Sequence, residues 1–132
     1  MPANVDPGDE IVTKVSPHSV PETVERLKAM LANAGLKLFA VIDHSGEAEA
    51  VGLELRDTKL VIFGNPQAGT PVMQAAPLAG LDLPLKVLVW AGEGQTNVSY
   101  TAPAALAARY QLSDELEARF AGIERLTDAL TG

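Results

Sequence analysis

The chain has 132 residues, 47% of them hydrophobic and 20% charged, which suits one folded domain with a core and argues against disorder or a two-domain architecture. Its 17 Asp and Glu against 10 Lys and Arg give a formal net charge of −7. That balance repels a phosphate backbone and an anionic membrane surface, so neither nucleic acid nor membrane is an expected partner. With no cysteine, disulfides, a thiolate nucleophile, thiolate zinc sites and cysteine-held iron–sulfur clusters are excluded.

Residues 1–9 carry Asp6 and Asp9, two prolines and no Lys or Arg. They lack both parts of a signal peptide and read as a flexible lead-in to a single domain over residues 10–132. A cytoplasmic protein is expected. The longest mostly apolar run, Leu83 to Gly92, is interrupted by Pro84 and Lys86 and is too short to span a bilayer. Glu10 to Val15 alternates as a first strand. Ser19, Pro21 and Glu22 then open a helix whose apolar residues Val20, Val24, Leu27, Leu31 and Ala34 recur at helical spacing until Gly35. Leu36 to Ile42 is a second strand, with Leu36, Leu38, Ala40 and Ile42 on one face and Phe39 and Val41 on the other.

Glu47 to Leu53 reads as a short helix turning Ala48, Val51 and Leu55 inward. Lys59 to Phe63 is a third strand, closed by Gly64-Asn65-Pro66. Thr70 and Pro71 resemble the cap and first position of a short helix through Gln74, which Pro77 must end. Leu85 to Trp90 and Asn97 to Thr101 form a hairpin around Gly92-Glu93-Gly94-Gln95, with a loop of about four to six residues. Pro103 opens an alanine-rich helix to Tyr110. A last helix starts at Ser113 and repeats Leu116, Phe120, Ile123, Leu126 and Leu130 on one face.

This order predicts an α+β two-layer sandwich, a mostly antiparallel sheet of about five strands with helices on one face. Phe39 and Val41, Val61 and Phe63, and Leu88 and Trp90 all fall on parities opposite to other apolar residues. The second sheet face is therefore expected to be covered, by another copy of the chain in a homodimer or around a ligand cavity.

Candidate chemistry is sparse. Gly64-Asn65-Pro66-Gln67-Ala68-Gly69-Thr70 follows a strand and precedes a helix, but it lacks the lysine of a P-loop, and Pro71 removes a donor. What remains is a turn whose free amides can hold a small anion. Gly92-Glu93-Gly94 is half of a dinucleotide fingerprint followed by a strand, hence a hairpin turn. With only His18 and His44, no His-rich metal site forms within one subunit, and no metal or cofactor is assigned. His18 reads as a surface residue. His44, beside Asp43 at a strand end, can serve as a general base, a metal ligand or an axial haem ligand, or simply hydrogen-bond its own loop. Glu54, within Val51-Gly52-Leu53-Glu54-Leu55, is either a carboxylic acid of raised pKa or an ion-pair partner of Arg56 or Lys59. Met73, Trp90 and Tyr100 suit a cavity wall and equally a plain core.

Asp43-His44, Val51-Gly52-Leu53-Glu54-Leu55, Ile62-Phe63-Gly64-Asn65-Pro66, Gly69-Thr70-Pro71 with Met73-Gln74, Leu83-Pro84-Leu85-Lys86 and Val89-Trp90 stand in an order and spacing that resemble the bacterial and archaeal family called domain of unknown function 302. The resemblance runs from about Thr13 to the last helix. It implies a compact α+β domain similar to the TATA-binding-protein-like fold, standing alone and dimeric, and it lends no catalytic assignment. The matching residues His44, Glu54, Asn65, Gly69, Thr70, Met73, Gln74 and Trp90 are the candidate ligand-binding set. The reading that follows is a homodimer with one small-molecule or anion pocket near His44, Glu54 and the Asn65 to Thr70 loop. The alternatives are an enzyme using His44 and Glu54 as acid and base on a small metabolite, and metal or haem binding through His44.

Overall fold

The computed structural model describes the backbone of residues 4–5 and all of residues 10–132. The expected lead-in over residues 1–9 lies outside the described residues except for Asn4–Val5, which pairs as strand β1 with β2 (Ile11–Ser16). The remaining strands are β3 (Lys37–Asp43), β4 (Thr58–Gly64), β5 (Leu85–Gly92) and β6 (Gln95–Thr101), all antiparallel in the order β1-β2-β6-β5-β4-β3. The helices are α1 (Val20–Asn33), α2 (His44–Ala50), α3 (Pro66–Ala75), α4 (Pro103–Tyr110), α5 (Asp114–Glu117) and α6 (Gly122–Thr131). The α+β sandwich expected from the sequence is the fold observed.

Local chemistry explains several boundaries. The Ser19 hydroxyl accepts the Glu22 N–H at 3.2 Å and starts α1. Pro77 lies just beyond the end of α3. The β5–β6 turn is tighter than expected: Gly92 pairs with Gln95, which leaves two residues, Glu93 at φ 55° and Gly94 at φ 76°, in the left-handed region that a tight hairpin turn requires.

Cross-strand partners share a sheet face, and the partners sort the sheet cleanly. Val41, Val61 and Val87 form one row toward the helices, and Leu38, Phe63 and Leu85 form another. There α1 and α6 lay Val24, Leu27, Leu31, Ile123 and Leu130 over Val61, Val87, Val89, Val98 and Tyr100 to make the main core. A smaller core gathers Val72, Ala79, Leu106 and Phe120. On the other face, Ile42, Leu60, Leu88, Ser99 and Thr13 form one row and Thr58, Trp90, Asn97 and Val15 another, opposite the face that α1 and α6 cover. The Trp90 indole N–H donates to the Ser99 hydroxyl at 2.9 Å, so the ring lies along β6 and helps to bury Ser99 and Asn97. A methyl group on Gly92 would come within 2.6 Å of that ring, so only glycine fits there.

Five expectations need correction. A β-bulge between Leu38 and Ala40 inserts Phe39, so Leu38 joins Val41 on the helix face while Ala40 and Ile42 stand on the bare one. Val61 and Phe63 likewise face the helices, and Leu60 and Ile62 supply the apolar residues of the bare face. The short helix after β3 starts earlier, at His44, and leaves Val51 73% and Leu55 47% exposed instead of turning them inward. Asn65, not Thr70, caps α3: its side chain accepts the Gln67 N–H at 2.9 Å, and Thr70 and Pro71 lie inside the helix. The expected last helix is broken. Leu116 and Phe120 serve the smaller core while Ile123, Leu126 and Leu130 serve the main one, and the backbone between them passes through a tight 3-10 turn at Ala118–Phe120 before Gly122.

Candidate functional site

Where the two cores meet, they do not close. A cavity of about 640 Å³ opens between the end of β4, the first turns of α3, the Leu83–Leu85 segment and the break between α5 and α6. Phe63 and Ile123 reach it from the main core, and Phe120 from the smaller one. Leu36, Phe39, Met73, Leu83 and Leu126 complete an apolar wall, with Asn65 and Thr70 as neutral polar groups. The ionisable residues lining it are Arg119 and Arg125, and no acidic residue does. Neither arginine forms an ion pair among the described residues, whereas Arg109, on α4, is held by Asp82 at 2.8 Å and by Glu10 at 3.5 Å.

The volume of the cavity lies in the range of small-ligand pockets. Its polar end differs from the anion turn suggested by the sequence. The Asn65 side chain takes the Gln67 amide, and the Asn65 carbonyl takes those of Ala68 and Gly69 at 2.9 Å each. The α3 terminus is therefore already satisfied, and positive charge comes from Arg119 and Arg125 instead.

The opposite end of β4, about 20 Å along the strand, is polar and self-contained. Asp43 caps α2 by accepting the Gly46 N–H at 2.9 Å, the Ser45 hydroxyl donates to it at 2.8 Å, and Lys59 lies 3.2 Å away. These contacts, in that order of weight, lower the Asp43 pKa from 3.8 to about 2. Burial works against the charge of Lys59, but Asp43 and Asp57 outweigh it and raise its pKa. A third group ties α4 to the turn before β5. The Tyr110 hydroxyl, and then Arg109, hold the Asp82 carboxyl below its usual value, and the same contact with Asp82 raises the Tyr110 pKa.

Of the eight candidates from the sequence, Asn65, Gly69, Thr70 and Met73 line the cavity. Gln74 follows Met73 on α3 and is exposed without lining it. His44 and Glu54 are exposed residues at the polar end, outside the cavity, and Trp90 belongs to the bare sheet face. The pocket imagined around His44, Glu54 and the Asn65 loop is thus divided between two ends of one strand. Among the described residues no group of three or more His, Asp or Glu side chains can hold a metal ion. Sequence reasoning missed Phe63, Phe120, Arg119 and Arg125 as wall residues. The one available signal was two arginines flanking the apolar pair Phe120 and Ile123.

A family model described as domain of unknown function DUF302 matches residues 12–130. The chain belongs to the DUF302 family. The DUF302 fold is also that of an uncharacterised conserved DUF302 protein from Bacillus stearothermophilus, whose crystal structure superposes with a TM-score of 0.78 at 23% identity, covering 94% of this chain and 97% of that one. The DUF302 chain is 43% identical over 113 residues to proteins named fluoride-specific ion channel FluC 1 from Brucella suis and Brucella abortus. The match takes in 85% of this chain but only 44% and 41% of those proteins, so the chain spans less than half the length of these relatives. No helix of the described residues is long and apolar enough to cross a membrane.

Proposed function

We propose that this DUF302 chain is a cytoplasmic small-molecule-binding module that works as a homodimer. The observation that carries the binding half is the cavity of about 640 Å³ at the junction of the two cores. Unfilled apolar space forfeits dispersion contacts with no offsetting gain, and a ligand restores them. Fluoride conduction, which the Brucella relatives have in their name, is not the activity proposed here. The chain accounts for less than half of each of them and contains no helix among its described residues fit to span a bilayer. Where such a domain is joined to a channel, its proposed contribution is ligand binding.

The test is a thermal-shift screen of small molecules on the wild-type chain and on Gly69→Leu. In α3, a side chain added at Gly69 would grow toward Leu83, whose Cδ1 lies 3.9 Å from the nearest added carbon, and into the cavity. Ligands that raise the midpoint of the wild type and not of Gly69→Leu are the expected result; hits that shift both proteins equally would place binding elsewhere.

The dimer half rests on the bare sheet face. Ile42, Leu60, Ile62, Leu88 and Val15 stand there, opposite the face that α1 and α6 cover, and a second copy presenting the same face buries them on both sides. Sedimentation equilibrium is expected to give twice the 13.9 kDa chain mass, reverting to one with Leu60→Lys and Leu88→Lys together. A wild-type monomer at micromolar concentration would remove this half.

A further inference from the structure

We propose that the cavity takes an anionic amphiphile, with a carboxylate or phosphate-ester head held by Arg119 and Arg125 and an alkyl or aryl body lying among Phe63, Phe120, Met73 and Leu126. This deepens the ligand-binding reading above and rests on it. The charge pattern is the first support. The chain carries a net charge of −7, yet the charged groups on the cavity wall are two arginines and no acid. That is the inverse of the molecule as a whole, and at the mouth of an apolar recess it favours a negatively charged group. The heads of both arginines are also uncommitted. Arg109, also exposed, is occupied by Asp82 and Glu10, whereas Arg119 and Arg125 have no carboxylate partner among the described residues. A guanidinium offers a planar fork of donors that matches carboxylate and phosphate oxygens, and its methylene stem packs on apolar wall while the head stays at the mouth.

The second support is the body of the cavity. Beyond the arginines its wall is almost wholly hydrocarbon and aromatic, so a small hydrophilic anion such as inorganic phosphate would leave most of it unfilled. Gly69 reinforces this. It sits in the interior of α3 with no left-handed φ to require glycine, where alanine would favour the helix, and a side chain there would intrude on the cavity. Its helix cost is the cost of open space. The break between α5 and α6 completes the arrangement by bringing Arg119 from one side and Arg125 from the other to the same apolar recess.

Isothermal titration of the full chain with decanoate, decanol and inorganic phosphate separates these ideas. Decanoate is expected to bind, decanol to bind about tenfold to hundredfold more weakly for want of the charge-assisted hydrogen bonds, and phosphate not to bind. Arg119→Gln with Arg125→Gln should weaken decanoate by a similar factor and leave decanol unchanged. Gly69→Leu should abolish binding of both while retaining the wild-type circular dichroism spectrum. Equal binding of decanol and decanoate, indifferent to the arginine variant but lost in Gly69→Leu, overturns the anionic head and leaves the cavity reading intact. Decanoate binding that survives Gly69→Leu overturns both. Phosphatidylglycerol vesicles separate a free amphiphile from a membrane lipid: co-sedimentation with vesicles in the absence of decanoate binding overturns the soluble ligand.

Discussion

At one end of the β3–β4 ladder, Asp43, Ser45, Asp57 and Lys59 satisfy one another within a few ångströms; at the other, Gly64 and Asn65 lead onto an apolar recess whose two arginines have no partner among the described residues. The first end holds the groups that draw attention in a sequence: a histidine beside an aspartate, with acids downstream. There Asp43 and Asp57 share Lys59, and Ser45 bonds both Asp43 and Asp57, so the cluster fixes the α2 turn against β4. The second end looks plain in sequence, yet it keeps open volume and free charge together. The proposed site is the end where open volume lies beside unpaired arginines, not the end richest in titratable residues.

The contrast sharpens most at Phe63, which is 2% exposed and belongs to both the core and the cavity wall. Phe63→Ala is expected to lower unfolding stability by about 3 kcal/mol, the low end for such a truncation because one side of the ring already faces open space. Val51→Ala, near the polar end and 73% exposed, should stay within about 0.5 kcal/mol of wild type. Urea unfolding of both variants checks the ratio; equal losses would mean that the two ends do not differ in kind.

Much of this division was legible residue by residue, and the failures have physical causes. The Ser19 cap, the stop at Pro77 and the strands at β4 and β5 depend on neighbours in sequence, and they stand where local rules put them. Asn65-Pro66 and Thr70-Pro71 are two equally good cap-and-proline signals five residues apart. The earlier one prevails, and α3 tolerates Pro71 in its interior although that proline cannot donate to the helix ladder. Phe39 shows a different limit. A bulge shifts parity by one, so an alternation pattern read through it assigns Leu38 to the wrong face. The cavity draws its wall from residues between Ala34 and Leu126, and Arg119 and Arg125 line it from the 3-10 turn and from α6 of the broken last helix. No local pattern encodes a wall drawn from elements so far apart in the chain.

The polar end has its own signature in acid. In the folded chain the Asp43 pKa lies at about 2 against an ordinary 3.8, held down by the Gly46 N–H, the Ser45 hydroxyl and Lys59. Because the folded value is depressed, the stability it contributes is full above pH 3.8 and is lost as pH falls toward 2. Asp43→Asn keeps an acceptor for the cap and removes the charge. The thermal midpoint of the wild type should exceed that of Asp43→Asn at pH 6, and the gap should close between those two pKa values. A gap that stays constant across that window would mean that the ion pair with Lys59 and the charge-assisted cap are not what stabilise the turn.

The smallest expected effect belongs to His44, and it tests the comparison most directly. His44 is the first residue of α2, exposed, outside the cavity and at the far end of β4 from it. The cap that starts its helix comes from Asp43, and the turn is tied to β4 by Ser45, whose hydroxyl accepts the Thr58 N–H at 3.1 Å. Neither contact uses the imidazole. His44→Ala is therefore expected to stay within about 0.5 kcal/mol of wild type, and to leave the affinity for any ligand of the cavity unchanged, at every pH from 5 to 8. Titration calorimetry on both proteins across that range checks it. If affinity instead fell with the variant, or followed the protonation of an imidazole in the wild type alone, His44 would be coupled to the cavity along the length of β4. The two ends would then be one site, as the sequence alone suggests.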